Sequence, residues 1–378
     1  MKKLYLVVTG IVSAVLLVFG AEFFVGWYLN KSGYFKAMIP GVTEIYNTNE
    51  FSMDAKISSQ GIRDEIILSS KPKDTIRILA LGDSFTYGWG VKQEDSWPEV
   101  VERQLREQGK KVEVINAGAP GISLTGIRRI CRAYKDQFDV DMILVGLYSL
   151  DDLYFVASRE QTMTELDKVL EAYVPTLSRI TQPVIVTSWY EDAKQGMVLD
   201  ASKYWQEEAQ AYRMVNPEKF KRLDPLFKSD FLQGRINPGV ISFATLDPNY
   251  LVKMLDENNF SYALEAADGR FRLIKDRCAG ELPLSVIVIP PNSMVSDNIF
   301  PLHKKMGFQV DQRLLTLDID TPLSKIVRKY GFSYISLIAP FRKDECPDCY
   351  YPIDWHLTSK GNARVADEVV RRVSERIR

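Results

Sequence analysis

Thr75-Ile-Arg-Ile-Leu-Ala-Leu81, leading directly into Gly82-Asp83-Ser84-Phe85-Thr86-Tyr87-Gly88, is the stretch that decides the fold. A short apolar run with β-branched residues that stops at a glycine reads as a buried strand, and the polar residues after it have the character of a turn with a helix cap. The alternation then repeats. Trp97 to Glu107 has a helical pattern, Lys111-Val-Glu-Val-Ile115 reads as a strand, Thr125 to Asp136 as a helix and Asp141-Met-Ile-Leu-Val145 as a strand. It resumes at Val184-Ile-Val186, Leu284-Ser-Val-Ile-Val-Ile289 and Phe332-Ser-Tyr-Ile-Ser-Leu337, and closes with an amphipathic helix from about Lys360 to Arg376. Strands alternating with helices in this way predict an α/β domain on a parallel sheet. Residues 190–276 are polar, aromatic-bearing and mostly helical, and too long for an ordinary crossover, so they read as a helical insertion able to act as a lid.

Ahead of this domain the chain changes character. Leu4 to Leu29 is nearly all apolar and would span about 39 Å as a helix. Glu22, the one charge inside it, falls near the far headgroup region beside Phe23, Phe24, Trp27 and Tyr28, which would form an aromatic belt. Residues 1–31 therefore read as an N-terminal membrane anchor, with a signal peptide cleaved before Ala21 as the competing reading. Residues 32–74, broken by Gly33, Pro40, Gly41 and Gly61, read as a linker and lead-in segment. That leaves residues 75–378 as the main domain.

Composition narrows the function. The chain has 378 residues, 46% apolar and 26% charged, which is ample for a folded core and excludes disorder as the main plan. Forty-eight basic against forty-nine acidic residues leave a net charge of -1, with no field to draw in nucleic acid. Two histidines restrict imidazole chemistry to His303 and His356, and a metal site lacks ligands.

Ser84 falls at the carboxyl end of the first confident strand, where open α/β sheets build their sites. A hydroxyl there becomes a nucleophile only with a base in reach and a group to orient that base. Asp354-Trp355-His356, in a loop after the last strand, supplies both types, with His356 as base and Asp354 fixing its tautomer. His303, among Lys304 and Lys305 with no adjacent carboxylate, reads as a plain surface residue. Cys346-Pro-Asp-Cys349 reads as a local disulfide bracing the loop before Asp354, while Cys131 and Cys278 in helical stretches read as buried small hydrophobes.

Taken together, Gly82-Asp83-Ser84, Asn116-Ala-Gly118-Ala-Pro-Gly121, Leu150-Asp151-Asp152-Leu153 and Asp354-Trp355-His356 with Gly361 following resemble, in order, the blocks of the SGNH (GDSL-type) hydrolase family. The flanks Ser58-Ser-Gln-Gly61-Ile-Arg63-Asp64 and Gly88-Trp-Gly-Val91 resemble its membrane-anchored bacterial members. The resemblance implies a flavodoxin-like three-layer α/β/α fold and a serine esterase or O-acyltransferase that uses no cofactor or metal. In it Ser84 is the nucleophile, His356 the base and Asp354 its partner. Oxyanion contacts would come from the Ser84 N–H, Gly118 and the third-block side chain, which is Asp151 here. The implied substrate is an ester-linked acyl group, acetyl first, on a cell-surface polysaccharide. The domain would sit on the periplasmic side of the cytoplasmic membrane, with a membrane-bound acyltransferase as the class of protein partner. Two features depart from the family: Asp151 stands where Asn is usual, and a carboxylate has no N–H to give; the acid and base residues are spaced Asp-x-His. The Asp151 departure supports the alternative, a catalytically silent glycan-binding or assembly protein on the same fold. A phosphate cradle at Gly82 to Gly90 is a third reading, ranked last because neither a Gly-x-Gly-x-x-Gly nor a Gly-Lys-Ser/Thr pattern is present there.

Overall fold

The computed structural model describes residues 13, 17–21, 23–24, 37–68, 70–149, 152–153, 196–343 and 346–377. The anchor expected at residues 1–31 falls largely outside these, as do the strand expected at Val184 to Val186 and the candidate residue Asp151. Among the described residues no helix is long and apolar enough to cross a membrane.

The main sheet has five parallel strands, β3 (Ile76–Leu81), β4 (Val112–Asn116), β5 (Met142–Tyr148), β7 (Leu284–Ile289) and β8 (Ser333–Ser336), in the spatial order β4-β3-β5-β7-β8. The chain thus starts next to one edge, steps out to it, and returns across β3 to build the other half. That reversal leaves a crevice at the carboxyl ends of β3 and β5, where doubly wound sheets hold their ligands. Strands β5 and β7 are buried along their whole length, which is why they are continuous apolar runs in sequence and not alternating ones.

Helices cover both faces. The first is the four-residue turn α1 (Ser84–Tyr87), followed by α2 (Trp97–Glu107) and α3 (Leu124–Tyr134). The insertion contributes α4 (Ala201–Val215), α5 (Pro217–Arg222), α6 (Pro225–Leu232) and α7 (Pro238–Leu246); then come α8 (Glu257–Ile274), α9 (Asn292–Val295), α10 (Phe300–Met306), α11 (Asp320–Lys329), α12 (Ile338–Lys343) and α13 (Ser359–Val373). On one face α2 presents Trp97, Val100, Val101 and Leu105, a helical stripe, beside Val365, Val369 and Val373 of α13. Each such side chain contributes about 1.5–3 kcal/mol on burial. The opposite face is closed by α3, α8 and α11.

Three expectations need correction here. The region read as linker and lead-in contains an antiparallel hairpin, β1 (Thr43–Asn47) and β2 (Ser52–Lys56), which β6 (Val198–Asp200) joins in parallel on the β1 side. Its alternation, with Glu44 and Tyr46 buried on β1 and Met53 and Ala55 on β2, is only five residues long per strand and includes a buried carboxylate, so it lacks an apolar signal. The helical insertion is shorter than 190–276: Ala263, Ala267, Phe271 and Ile274 of α8 pack into the core against the sheet, making α8 a crossover helix and not part of a lid. Helices α4 to α7 pack around Phe227, Phe231 and Ile241 in a second core that also takes in Met306, Phe308 and Trp355. Finally, Cys131 and Cys278 are buried but bonded to each other, a disulfide that spans 147 residues and ties α3 to the turn after α8.

Candidate active site

Asp83 begins the site. Its carboxylate caps α1 by accepting the Phe85 N–H at 2.9 Å, which fixes Ser84 as the first helical residue, and burial raises its pKa to about 6. The turn is tight because Gly82 lets it be so: a Cβ there would lie 2.1 Å from Thr86 Oγ1 and 2.8 Å from the Gly146 carbonyl. The Ser84 carbonyl accepts from both Gly88 and Trp89, closing the helix after one turn. First-turn N–H groups have no partner within a helix, so the Ser84 N–H is directed away from α1.

Three backbone carbonyls at and just after the end of α1 are held by one buried cation. Arg63, 0% exposed, donates to the carbonyls of Tyr87 at 3.0 Å, Gly88 at 2.5 Å and Val91 at 2.6 Å. Burial lowers its pKa, opposed by nearby Tyr87 and Glu44. Glu44, also buried, accepts from the hydroxyls of Tyr46 at 3.0 Å and Tyr87 at 3.2 Å. Asp64 beside Arg63 accepts the Asn116 N–H at 2.9 Å. The Arg63-Asp64 pair therefore braces both the turn that carries Ser84 and the end of β4.

Ser84, His356 and Asp354 come together. Ser84 Oγ lies 2.6 Å from His356 Nε2, and His356 Nδ1 lies 2.5 Å from Asp354 Oδ1. Asp354 is 5% exposed, while Ser84 and His356 are half-buried, so the reacting end of the chain of bonds opens to the crevice and its anionic end is shut away. The imidazole is flanked by Phe85, 4.8 Å away between ring centres, and Trp89, 5.6 Å away. Phe85 in turn stacks on Tyr148 at the end of β5.

The loop bearing the pair is folded on itself, with Tyr351 N–H donating to the His356 carbonyl and Trp355 N–H to the Tyr351 carbonyl, both at 2.9 Å. Trp355 sits at φ 69°, a left-handed conformation that costs a bulky residue on the order of 1–3 kcal/mol. It is compensated by packing: the indole lies 4.9 Å from Phe308 and 5.6 Å from His303, in the core shared with the helical insertion. His303, expected at the surface, is 0% exposed, and burial lowers its pKa to about 4. The other cysteine expectation holds, with Cys346 and Cys349 forming a disulfide just ahead of this loop.

The oxyanion candidates fare differently. Gly118 packs where only glycine fits, since a Cβ would lie 2.3 Å from Tyr87 N, but its N–H donates to Asn116 Oδ1 at 3.1 Å. Asp151 lies outside the described residues. Its neighbour Asp152 turns inward and accepts the Tyr148 N–H at 2.9 Å. Ser149, at the carboxyl end of β5, is buried with no hydrogen-bond partner for its hydroxyl among the described residues.

Sequence reading missed two contributors. Trp89 Nε1 donates to Asp354 Oδ2 at 3.4 Å, and Glu50 accepts from the Ile353 and Asp354 N–H groups. The first lay inside a block already singled out, so its aromatic ring was the available signal; the second stands in the unremarked hairpin turn.

No protein-family model matches the chain. Over 87 residues it is 33% identical to an arylesterase from Vibrio mimicus, a stretch covering 23% of this chain and 43% of that protein, so the match spans less than half of the relative's length. Among solved structures it is similar to a lipase/acylhydrolase from Enterococcus faecalis, at 12% identity and a TM-score of 0.37, over 80% of this chain and 97% of that one. A member of the lipolytic G-D-S-L family from Veillonella parvula overlaps at 9% identity and a TM-score of 0.36, over 79% and 97% of the two chains. An acetyl xylan esterase overlaps at 10% and 0.39, over 79% and 100%.

Proposed function

We propose that this chain is a serine esterase of the SGNH (GDSL) kind, with a flavodoxin-like domain, acting on short acyl esters through Ser84, His356 and Asp354. The observation that carries the reading is the unbroken series Ser84 Oγ, His356 Nε2, His356 Nδ1, Asp354 Oδ1, at hydrogen-bond distances throughout. As Ser84 attacks the ester carbonyl carbon, its proton passes to His356 Nε2, and Asp354 stabilises the imidazolium that results. The tetrahedral intermediate then expels the alcohol, which takes the proton from His356, and leaves an acyl-Ser84. Water, activated by the same imidazole, attacks that ester and releases the carboxylic acid; an acceptor hydroxyl in place of water makes the enzyme an O-acyltransferase. We assign the Ser84 N–H as a donor to the developing oxyanion, and losing one such donor typically costs about 2.7–4 kcal/mol. Gly118 can add its N–H only by giving up Asn116 Oδ1. Asp151 can add a donor only in its acid form, which leaves the Ser149 hydroxyl as the neutral donor nearest in sequence.

An acetyl group on a cell-surface polysaccharide is the substrate we put first, on the resemblance of the sequence blocks. We also place the domain on the periplasmic side, held by residues 4–29. Two disulfides support an oxidising compartment. Incubation with a fluorophosphonate probe tests the chemistry: Ser84 should be labelled, and acetyl esters should be turned over. A probe that leaves Ser84 unmodified, with no turnover of acetyl esters, would favour the silent glycan-binding alternative.

A further inference from the structure

Glu50 is separated from the catalytic loop by 303 residues, yet its two carboxylate oxygens each take one backbone N–H of that loop, from Ile353 to Oε1 and from Asp354 to Oε2, both at 2.8 Å. A carboxylate that accepts two adjacent N–H groups acts as a bracket on the peptide between them, and here that peptide leads into the residue orienting the imidazole. We infer that Glu50 is a positioning residue for Asp354 and His356, acting through the loop backbone, and that its hold weakens when the carboxylate takes up a proton. The inference rests on the esterase reading above.

The bracket is itself rigid. Thr48 Oγ1 accepts from the N–H groups of Glu50 at 3.0 Å and Phe51 at 2.9 Å, and donates to the Phe51 carbonyl at 3.0 Å, cinching the turn between β1 and β2. Asn49 N–H donates to the Arg235 carbonyl at 3.2 Å, so the turn is also fastened to the helical insertion. Phe51 packs on Tyr351, 5.0 Å between ring centres, and the Tyr351 hydroxyl donates to the Gly90 carbonyl at 2.9 Å. The hairpin, the nucleophile turn and the histidine loop thus meet around one half-buried carboxylate.

The groups facing Glu50 are few. From the histidine loop come Asp354, whose charge opposes ionisation, and Tyr351; from the insertion, Arg235 is engaged by Asp230 at 3.1 Å. Burial is the largest influence and raises the Glu50 pKa to about 7, against the two N–H bonds, which favour the ion. Both oxygens accept freely only in the ionised form, because the acid form must place a proton on one of them. Glu50 should therefore contribute one proton of its own to the rise of activity with pH.

The test uses the full chain and acetyl esters. In Glu50→Gln, which keeps the shape but sets an amide N–H against a backbone N–H, kcat should fall about tenfold and KM stay within about twofold, and the acid limb should become shallower by one proton; Glu50→Ala should lose about a hundredfold. Hydrogen exchange at Ile353 and Asp354, read by mass spectrometry, should quicken in both variants whether or not the protein is an esterase. Fluorophosphonate labelling of the unsubstituted chain separates the two ideas: absent labelling with faster exchange in Glu50→Ala retains the bracket and discards the esterase. If Glu50→Gln keeps the acid limb of the unsubstituted chain and its kcat, or exchange at the two amides is unchanged, the positioning role is overturned.

Discussion

The Ser84 hydroxyl and His356 Nε2 are 2.6 Å apart across 272 residues of sequence, brought together because both stand at the carboxyl edge of one parallel sheet. A serine there is an ordinary alcohol unless the imidazole removes its proton, so the distance itself is a statement about reactivity.

Ser84→Ala and His356→Ala should each lower acetyl-ester turnover about a thousandfold or more, with far-UV circular dichroism and urea midpoint unchanged. If the two residues act as one unit, as proposed, the losses should not add in the double variant. A fully active Ser84→Ala protein would place the nucleophile elsewhere.

Asp151→Asn tests the third donor. If the Asp151 acid form donates to the oxyanion, the rate should fall as pH rises through its titration, and the Asn variant should hold its activity at high pH. If the chain is silent, Asn should restore measurable esterase activity. An unchanged rate and pH profile directs the search to Ser149→Ala.

Arg63→Leu should destabilise the domain by about 3–5 kcal/mol, read from urea unfolding, since it strips a buried carboxylate of its nearby cation and three carbonyls of their donor. Arg63→Lys keeps the charge without the planar fork and should recover only part of the loss.

His303 makes stability depend on pH in the acid range. Its folded pKa of about 4 lies below the ordinary 6.5, so between these values the unfolded chain binds a proton that the folded one does not. The His303 contribution is complete above pH 6.5 and should decline by on the order of 3 kcal/mol as pH falls to 4, while Asp83 and Glu50, whose pKa values burial raises, act in the opposite sense. In urea titrations at pH 4, 5 and 7, His303→Leu should gain stability relative to the unsubstituted chain as pH falls; a difference that does not change with pH would remove His303 from the linkage.

Removing the Cys131–Cys278 bond by double substitution to Ala should cost about 5 kcal/mol on chain-entropy grounds, against about 2 kcal/mol for Cys346–Cys349, because the first closes a loop of 147 residues and the second separates its cysteines by only three. Urea midpoints of the two double variants give the comparison.

By itself the sequence determined the α/β alternation, the placement of β3, β4, β5, β7 and β8, and the candidates Ser84, Asp354 and His356. These were legible because a strand buried on both faces is a local apolar run, a helix on a sheet repeats its apolar residues every three or four, and residues at the carboxyl ends of parallel strands share one edge. Tertiary structure alone decided the rest. Arg63, Glu44, Glu50 and Trp89 are polar or aromatic residues with no periodic signature, and their partners are fixed only when the hairpin folds over the Ser84 turn. Cys131 finds Cys278, and His303 is buried beside Trp355, for the same reason: a contact between distant segments depends on how two elements pack, and nothing in either segment's local pattern encodes it.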